Sequence, residues 1–207
     1  MAIDTFDKLV QEIIDYSHRG DLDLKIPTFI EIAEVAMLAN PDEILKVRGQ
    51  EVRSLANTDG QYLALPDDFQ AARGLRIVTG ENNSINLGYR APSDIRYRTG
   101  TGQPNTFTVT SQIEFDIVPD TVYSVEIHYY KDPAPLTSDN QTNEVLTRFP
   151  TIYLFGGLWQ AFEFSLDTEN SQKYRQLFIA AIKGANKKDK QGRYGPAPSM
   201  RPAGTVV

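Results

Sequence analysis

The sequence contains no cysteine, one tryptophan and two histidines. Lack of cysteine rules out a disulfide framework, a thiolate zinc site, an iron–sulfur cluster and a cysteine nucleophile. With His18 and His128 as its whole histidine complement, the chain also has no multi-histidine metal site. There is no run of about 18 apolar residues, so no transmembrane helix is expected. The opening MAIDTFDKLV has no basic stretch leading into an apolar block, so it is not expected to be a secretory signal. What is present is 207 residues, 41% hydrophobic and 23% charged, the composition of an ordinary globular chain of one or two domains. A chain of this length buries roughly 70% of its unfolded surface and needs no covalent or metal staple.

Charge is unevenly spread. The formal total is −6, but residues 183–207 hold Lys183, Lys187, Lys188, Lys190, Arg193 and Arg201 against the single acid Asp189. The first 182 residues carry 15 basic and 26 acidic side chains. An acidic body of this kind repels nucleic acid, while the basic end seeks an acidic surface.

Hydrophobic period changes twice along the chain. Phe6, Leu9, Val10, Ile13 and Ile14 form one stripe of an amphipathic helix, capped by Asp4 or Thr5 and ended by Arg19-Gly20. A second helix follows, with Pro27 in its first turn and Phe29, Ile32, Ala33, Ala36 and Met37 as its stripe. Asn40-Pro41 starts a third, shorter helix that turns Ile44 and Leu45 inward. From about Val47 the texture is of short strands. Thr58-Asp59-Gly60 predicts a hairpin between Gln50–Ala56 and Gln61–Leu65, and residues 80–83 predict another between Arg76–Thr79 and Ile85–Tyr89. Ser111-Gln112 separates two further strands. Tyr123, Val125, Ile127 and Tyr129 alternate with polar residues and Tyr130, a half-buried antiparallel pattern. The helical period returns at Pro150. Gly156-Gly157 then costs about 1 kcal/mol per glycine in helix propensity, which close approach of a neighbouring element would offset. Asp167-Thr168 caps a last helix with Tyr174, Leu177, Phe178, Ala181, Ile182 and Ala185 as its stripe, antiparallel to its predecessor. Residues 186–207, with Gly192, Gly195, Pro196 and Pro198, read as an extended arm without a core.

Candidate chemistry thins out under inspection. Asp67-Asp68 after Leu65-Pro66 is ordinary turn chemistry, with no His or Lys nearby in sequence to complete an acid–base pair. His128 shares a strand face with Glu126, yet no G-x-S-x-G elbow supplies a nucleophile. His18 sits at a helix C-terminus, where the dipole favours it. Gly100-Thr101-Gly102 lacks the third glycine and the strand-to-helix setting of a phosphate loop and reads as a flexible tip. Phe115, Tyr123, Tyr129 and Tyr130 could stack a ligand, though aromatics on strands generally serve cross-strand packing. No catalytic residue, cofactor site or metal site is predicted.

Three stretches carry a resemblance. Tyr62-Leu63-Ala64-Leu65-Pro66-Asp67-Asp68-Phe69 resembles the L-P-x-D-F stretch of tailed-bacteriophage head–tail adaptor (connector) proteins. Ile117 to Tyr130, with Pro119, Tyr123, Tyr129 and Tyr130, is similar to their proline–tyrosine strand, with Asp120 where that pattern commonly has proline. Asn143-Glu144-Val145-Leu146, Phe149-Pro150 and Tyr153-Leu154-Phe155-Gly156-Gly157-Leu158 resemble the start of their long helix. The likeness runs in order from about Gln50 to Tyr174, toward podovirus-type adaptors, tail tubular protein A-like.

The resemblance implies a non-enzymatic virion protein of the phage neck, assembled in the host cytoplasm. It implies a homo-oligomeric, dodecameric ring joining the portal protein to a tail or nozzle protein. Genomic DNA would cross its lumen without specific binding, and no membrane is involved. The portal-binding arm would comprise Lys187, Lys188, Lys190, Arg193, Tyr194 and Arg201. The expected fold is α+β: a helical bundle of residues 1–48 and 147–186, an inserted antiparallel β domain of residues 49–135, and an extended arm over 187–207. The alternative reading is a small carbohydrate- or peptide-binding β module with a helical accessory layer. A hydrolase with an unrecognised site at His128 or Asp67 is the other rival.

Overall fold

Thr5 begins the first helix, its hydroxyl accepting from the Lys8 amide at 3.4 Å. In the computed structural model, which describes residues 3–39, 42–80 and 83–194, the chain is α+β and divides into two units. One unit is Met1–Gly49 with Ala134–Val207, and the other is Gln50–Pro133.

The first unit contains α1 (Phe6–Ser17), a 3-10 turn (Gly20–Lys25), α2 (Ile26–Ala39), α3 (Glu144–Arg148), α4 (Pro150–Phe164) and α5 (Thr168–Tyr194). Phe6, Leu9 and Ile13 of α1 are buried with Ile26, Phe29, Ile30 and Met37, and Trp159 packs on the same core. Phe178, Ile182 and Ala185 of α5 complete the cluster. Asn143 caps α3 by accepting from Leu146 N at 2.8 Å, and Asp167 caps α5 by accepting from Asn170 N at 3.2 Å. The three-residue link between α4 and α5 leaves them paired side by side, with Phe162 stacked on Tyr174 at 5.3 Å and Trp159 tilted against Phe178 at 5.7 Å. No described helix is long and apolar enough to cross a membrane.

Three details differ from expectation. His18, not Gly20, takes the left-handed position that ends α1, at φ 54°; histidine is among the residues that tolerate it. The third short helix does not form over residues 42–47, and its expected cap at Asn40-Pro41 lies outside the described residues. These residues run as a strap instead. Leu45 is fully buried, its amide donates to Met37 O at 2.9 Å, and the Asn186 side chain satisfies the neighbouring peptide groups. Finally, residues 187–194 continue α5 and are not extended. Lysine, glutamine and arginine are sound helix formers, and the first proline of the segment comes at Pro196. The rest of the expected arm, with Arg201, lies outside the described residues.

In the second unit the described strands are β1 (Glu51–Asn57), β2 (Tyr62–Leu63), β3 (Phe69–Val78), β4 (Ser84–Tyr89), β5 (Thr106–Val109), β6 (Ile113–Phe115) and β7 (Ser124–Lys131). They form one seven-stranded sheet in the order β1-β7-β3-β4-β5-β6-β2. Val125, Ile127 and Tyr129 of β7 alternate into a core with Leu75, Ile77, Phe107, Ile113 and Phe115. The β3–β4 pair holds Leu75 opposite Leu87, and β5–β6 form the hairpin around Ser111-Gln112. The sheet is mixed and not wholly antiparallel, because β4 and β5 pair in parallel. Nor do β1 and β2 form a hairpin: β1 pairs along its whole length with β7, and β2 with β6. The Thr58–Gly60 turn, with Gly60 at φ 95°, redirects the chain, and Thr58 exchanges bonds with the Tyr123 backbone. Seven register pairs on a half-buried central strand outweigh the local closure that a hairpin would have offered.

Candidate functional site

The C-terminal half of α5 carries the expected basic residues. Lys183, Lys187, Lys188 and Lys190 are exposed on it. Arg193 and Tyr194 fall in its last turn, and their side chains lie outside the description, as does Arg201 entirely. The helix is anchored through Asn186. Asn186 accepts from Lys46 N at 2.9 Å and donates to Ile44 O at 2.8 Å and Glu43 Oε1 at 2.7 Å. Asp189, one turn further on, is also buried. A rigid helix therefore presents the lysine cluster, which costs less ordering entropy on docking than a free segment would.

Gly156 and Gly157 lie where α4 meets its neighbours. A methyl on Gly156 would stand 2.8 Å from Ala33 Cβ of α2 and 3.0 Å from the Phe178 ring of α5. A methyl on Gly157 would collide with Ile13 Cδ1 of α1. The two glycines let three helices approach α4 at one level.

The polar groups that could have marked chemistry are engaged structurally. Asp68 accepts from the Tyr129 hydroxyl at 2.7 Å, and burial followed by that carboxylate pushes the phenol up to about 12. Asp132 is raised by burial and by the like charge of Asp68 nearby, while its amide donates to Asp68 O at 2.8 Å and, with the Tyr129 bond, ties the strand ends together. Glu126 does not pair with His128. It lies in register with Arg76 and bonds it at 2.9 Å, with Arg53 at 3.7 Å, while His128 Nε2 sits 3.6 Å from Glu51. Cross-strand register, which a face-sharing pattern along one strand does not specify, decides these partners. Gly100-Thr101-Gly102 is pinned: Thr101 bridges to Val118, and Gly102 N donates to Val118 O at 2.9 Å. Phe115 and Tyr129 are core residues, and Tyr130 lies under the Arg73 guanidinium at 5.5 Å, so these aromatics do not make an open stacking platform.

Sequence reasoning missed two polar anchors. Asp116 is buried beneath the loop that precedes β5, accepting from Arg98 Nε at 2.9 Å and from the Asn105 and Thr106 amides at 3.0 and 3.2 Å. Tyr97 donates to Glu114 at 2.6 Å, a bond that pushes its phenol up to about 12 and holds Glu114 below the usual carboxylate range. Acidic residues flanked by apolar ones within a short strand, as in Ile113-Glu114-Phe115-Asp116, were the available signal. Among the described residues no group of three His, Asp or Glu side chains could hold a metal ion.

The carboxylates tie down loops, the glycines admit close helices, and the end of the last helix presents the basic residues. A family model described as SU10 adaptor protein matches residues 4–202. The chain belongs to the SU10 adaptor protein family and is a structural adaptor of phage. No curated protein matches it.

Proposed function

We propose that this chain is a head–tail adaptor of the podovirus type, tail tubular protein A-like, that assembles into a dodecameric ring between portal and tail or nozzle. Membership of the adaptor family over residues 4–202 is the observation that carries this reading. In it, the basic C-terminal region is the portal contact, through Lys187, Lys188, Lys190, Arg193, Tyr194 and Arg201. Exposure of Lys187, Lys188 and Lys190 on an anchored helix supports that assignment. In a ring, many weak copies of one contact add to firm attachment. The excess of acid in the first 182 residues suits a lumen through which DNA slides without sticking. The protein acts within the virion after assembly in the host cytoplasm.

Co-sedimentation with purified portal rings tests the assignment. Lys187→Glu/Lys188→Glu/Lys190→Glu changes exposed side chains and leaves the Asn186 anchor in place, so the chain should fold and lose portal binding. Full binding by this variant would refute the assigned contact.

A further inference from the structure

Parallel neighbours β4 and β5 are joined by residues 90–105, which form neither a helix nor a strand. A parallel pair needs a crossover of about a dozen residues or more, ordinarily a helix. Irregular loops of this length are uncommon in compact domains and usually serve a function. This one is held firmly. Buried Asp116 grips Arg98 and the Asn105 and Thr106 amides, and Arg98 Nη2 donates to Gln103 O at 2.9 Å.

The tethered loop borders a cleft of about 720 Å³ lined by Arg90, Arg96, Arg98, Asp94, Thr106 and Asp116. Both oxygens of Asp116 are already engaged, and Asp94 accepts from Ser93 Oγ at 3.3 Å. Arg90 and Arg96 are exposed, and their guanidinium groups meet no hydrogen-bond or ion-pair partner among the described residues. Three guanidinium groups thus line a concave surface with two carboxylates, Asp116 engaged by Arg98 and Asp94 bonded only to a serine hydroxyl, so the lining keeps an excess of one positive charge. A guanidinium presents a planar fork that matches a carboxylate in a two-pronged bond.

We infer that this cleft docks a carboxylate-rich segment of a partner protein, with Arg90 and Arg96 as the receiving groups. A carboxylate segment suits it better than a nucleic acid. Nucleic-acid binding draws on a track of several phosphate contacts, whereas this cleft offers two exposed guanidinium groups. The cleft has the volume of a pocket for a few side chains. The inference does not depend on the ring or on the C-terminal contact, because its test uses the free chain.

The test is fluorescence anisotropy of a labelled octaglutamate peptide and, separately, of a labelled octathymidylate, titrated with the full chain at about 50 mM salt. Peptide binding should weaken roughly tenfold or more in Arg90→Gln/Arg96→Gln, since two charge-assisted bonds are removed. It should hold within about twofold in Lys187→Gln/Lys188→Gln, which removes the same charge elsewhere. Amide chemical shifts on the unmodified chain should move most within residues 90–106. The inference is overturned by an absence of peptide binding or by equal losses in both variants. Largest shifts at Lys187–Lys190, or tighter binding of the octathymidylate than of the peptide, would overturn it too.

Discussion

The Tyr153 hydroxyl donates to Glu34 Oε1 at 3.0 Å from a fully buried position on α4. The same carboxylate oxygen accepts from Leu136 N at 3.0 Å, and Asn143 Nδ2 donates to the phenol at 2.6 Å. One side chain of α2 thereby ties α4 to the segment leading into α3. Burial raises the Glu34 carboxyl above its ordinary value, partly offset by the Leu136 and Tyr153 bonds, and burial and Glu34 raise the Tyr153 phenol far above its own.

A pH dependence follows from Glu34. A carboxyl whose folded pKa is raised holds its proton more tightly folded than unfolded, so its contribution to stability is greatest below the unfolded value and declines as pH rises through the folded one. Urea unfolding at successive pH values from about 4 to 7 should show this decline, and Glu34→Gln should abolish that component. Glutamine retains an oxygen for Leu136 N and Tyr153. Glu34→Ala leaves both donors unpartnered and should cost about 2–3 kcal/mol. An unchanged pH profile in Glu34→Gln would contradict the assignment.

The two glycines of α4 should respond differently. Gly156→Ala sets a methyl against Ala33 Cβ, which is fixed to backbone, and should destabilise by about 1–3 kcal/mol despite better helix propensity. Gly157→Ala meets the terminal methyl of Ile13, so Ile13→Val, which removes that atom, should recover stability in the double variant. Gly157→Leu should prevent normal folding or assembly. Thermal melts of the four variants and a double-mutant cycle decide this; strict additivity would contradict the packing account.

Asn186→Ala removes bonds to Lys46 N, Ile44 O and Glu43 and should cost about 1–3 kcal/mol. Hydrogen exchange at the Lys46 amide should accelerate well beyond that of the β7 amides. Equal protection at Lys46 in both proteins would mean that Leu45 burial alone secures the strap.

What could be read from the chain is what repeats locally. The stripe from Phe6 to Ile14 and the alternation from Tyr123 to Tyr130 each encode a face, and both faces are where the period places them. What could not be read depends on residues distant in sequence. Glu126 chose Arg76 over His128 through register between β3 and β7, and β1 chose β7 over its neighbour β2. The strap at 42–47 depends on an asparagine some 140 residues away, which leaves no periodic trace. Residues 187–194 show the opposite failure: with few apolar groups they lack a stripe, but their lysines, glutamine and arginine let the packed helix before them run on through Gly192. The basic residues of the candidate portal contact were visible as composition; the Arg90–Arg96 cleft was not, because Asp116, just beyond β6, holds its loop from a distant point in the sequence.

The central claim is that this adaptor works as a ring on the portal, and native mass spectrometry of the chain mixed with purified portal rings tests it most directly. The account predicts one dominant complex carrying twelve copies per portal, lost with the triple lysine-to-glutamate variant. A chain that stays monomeric beside intact portal rings would contradict it.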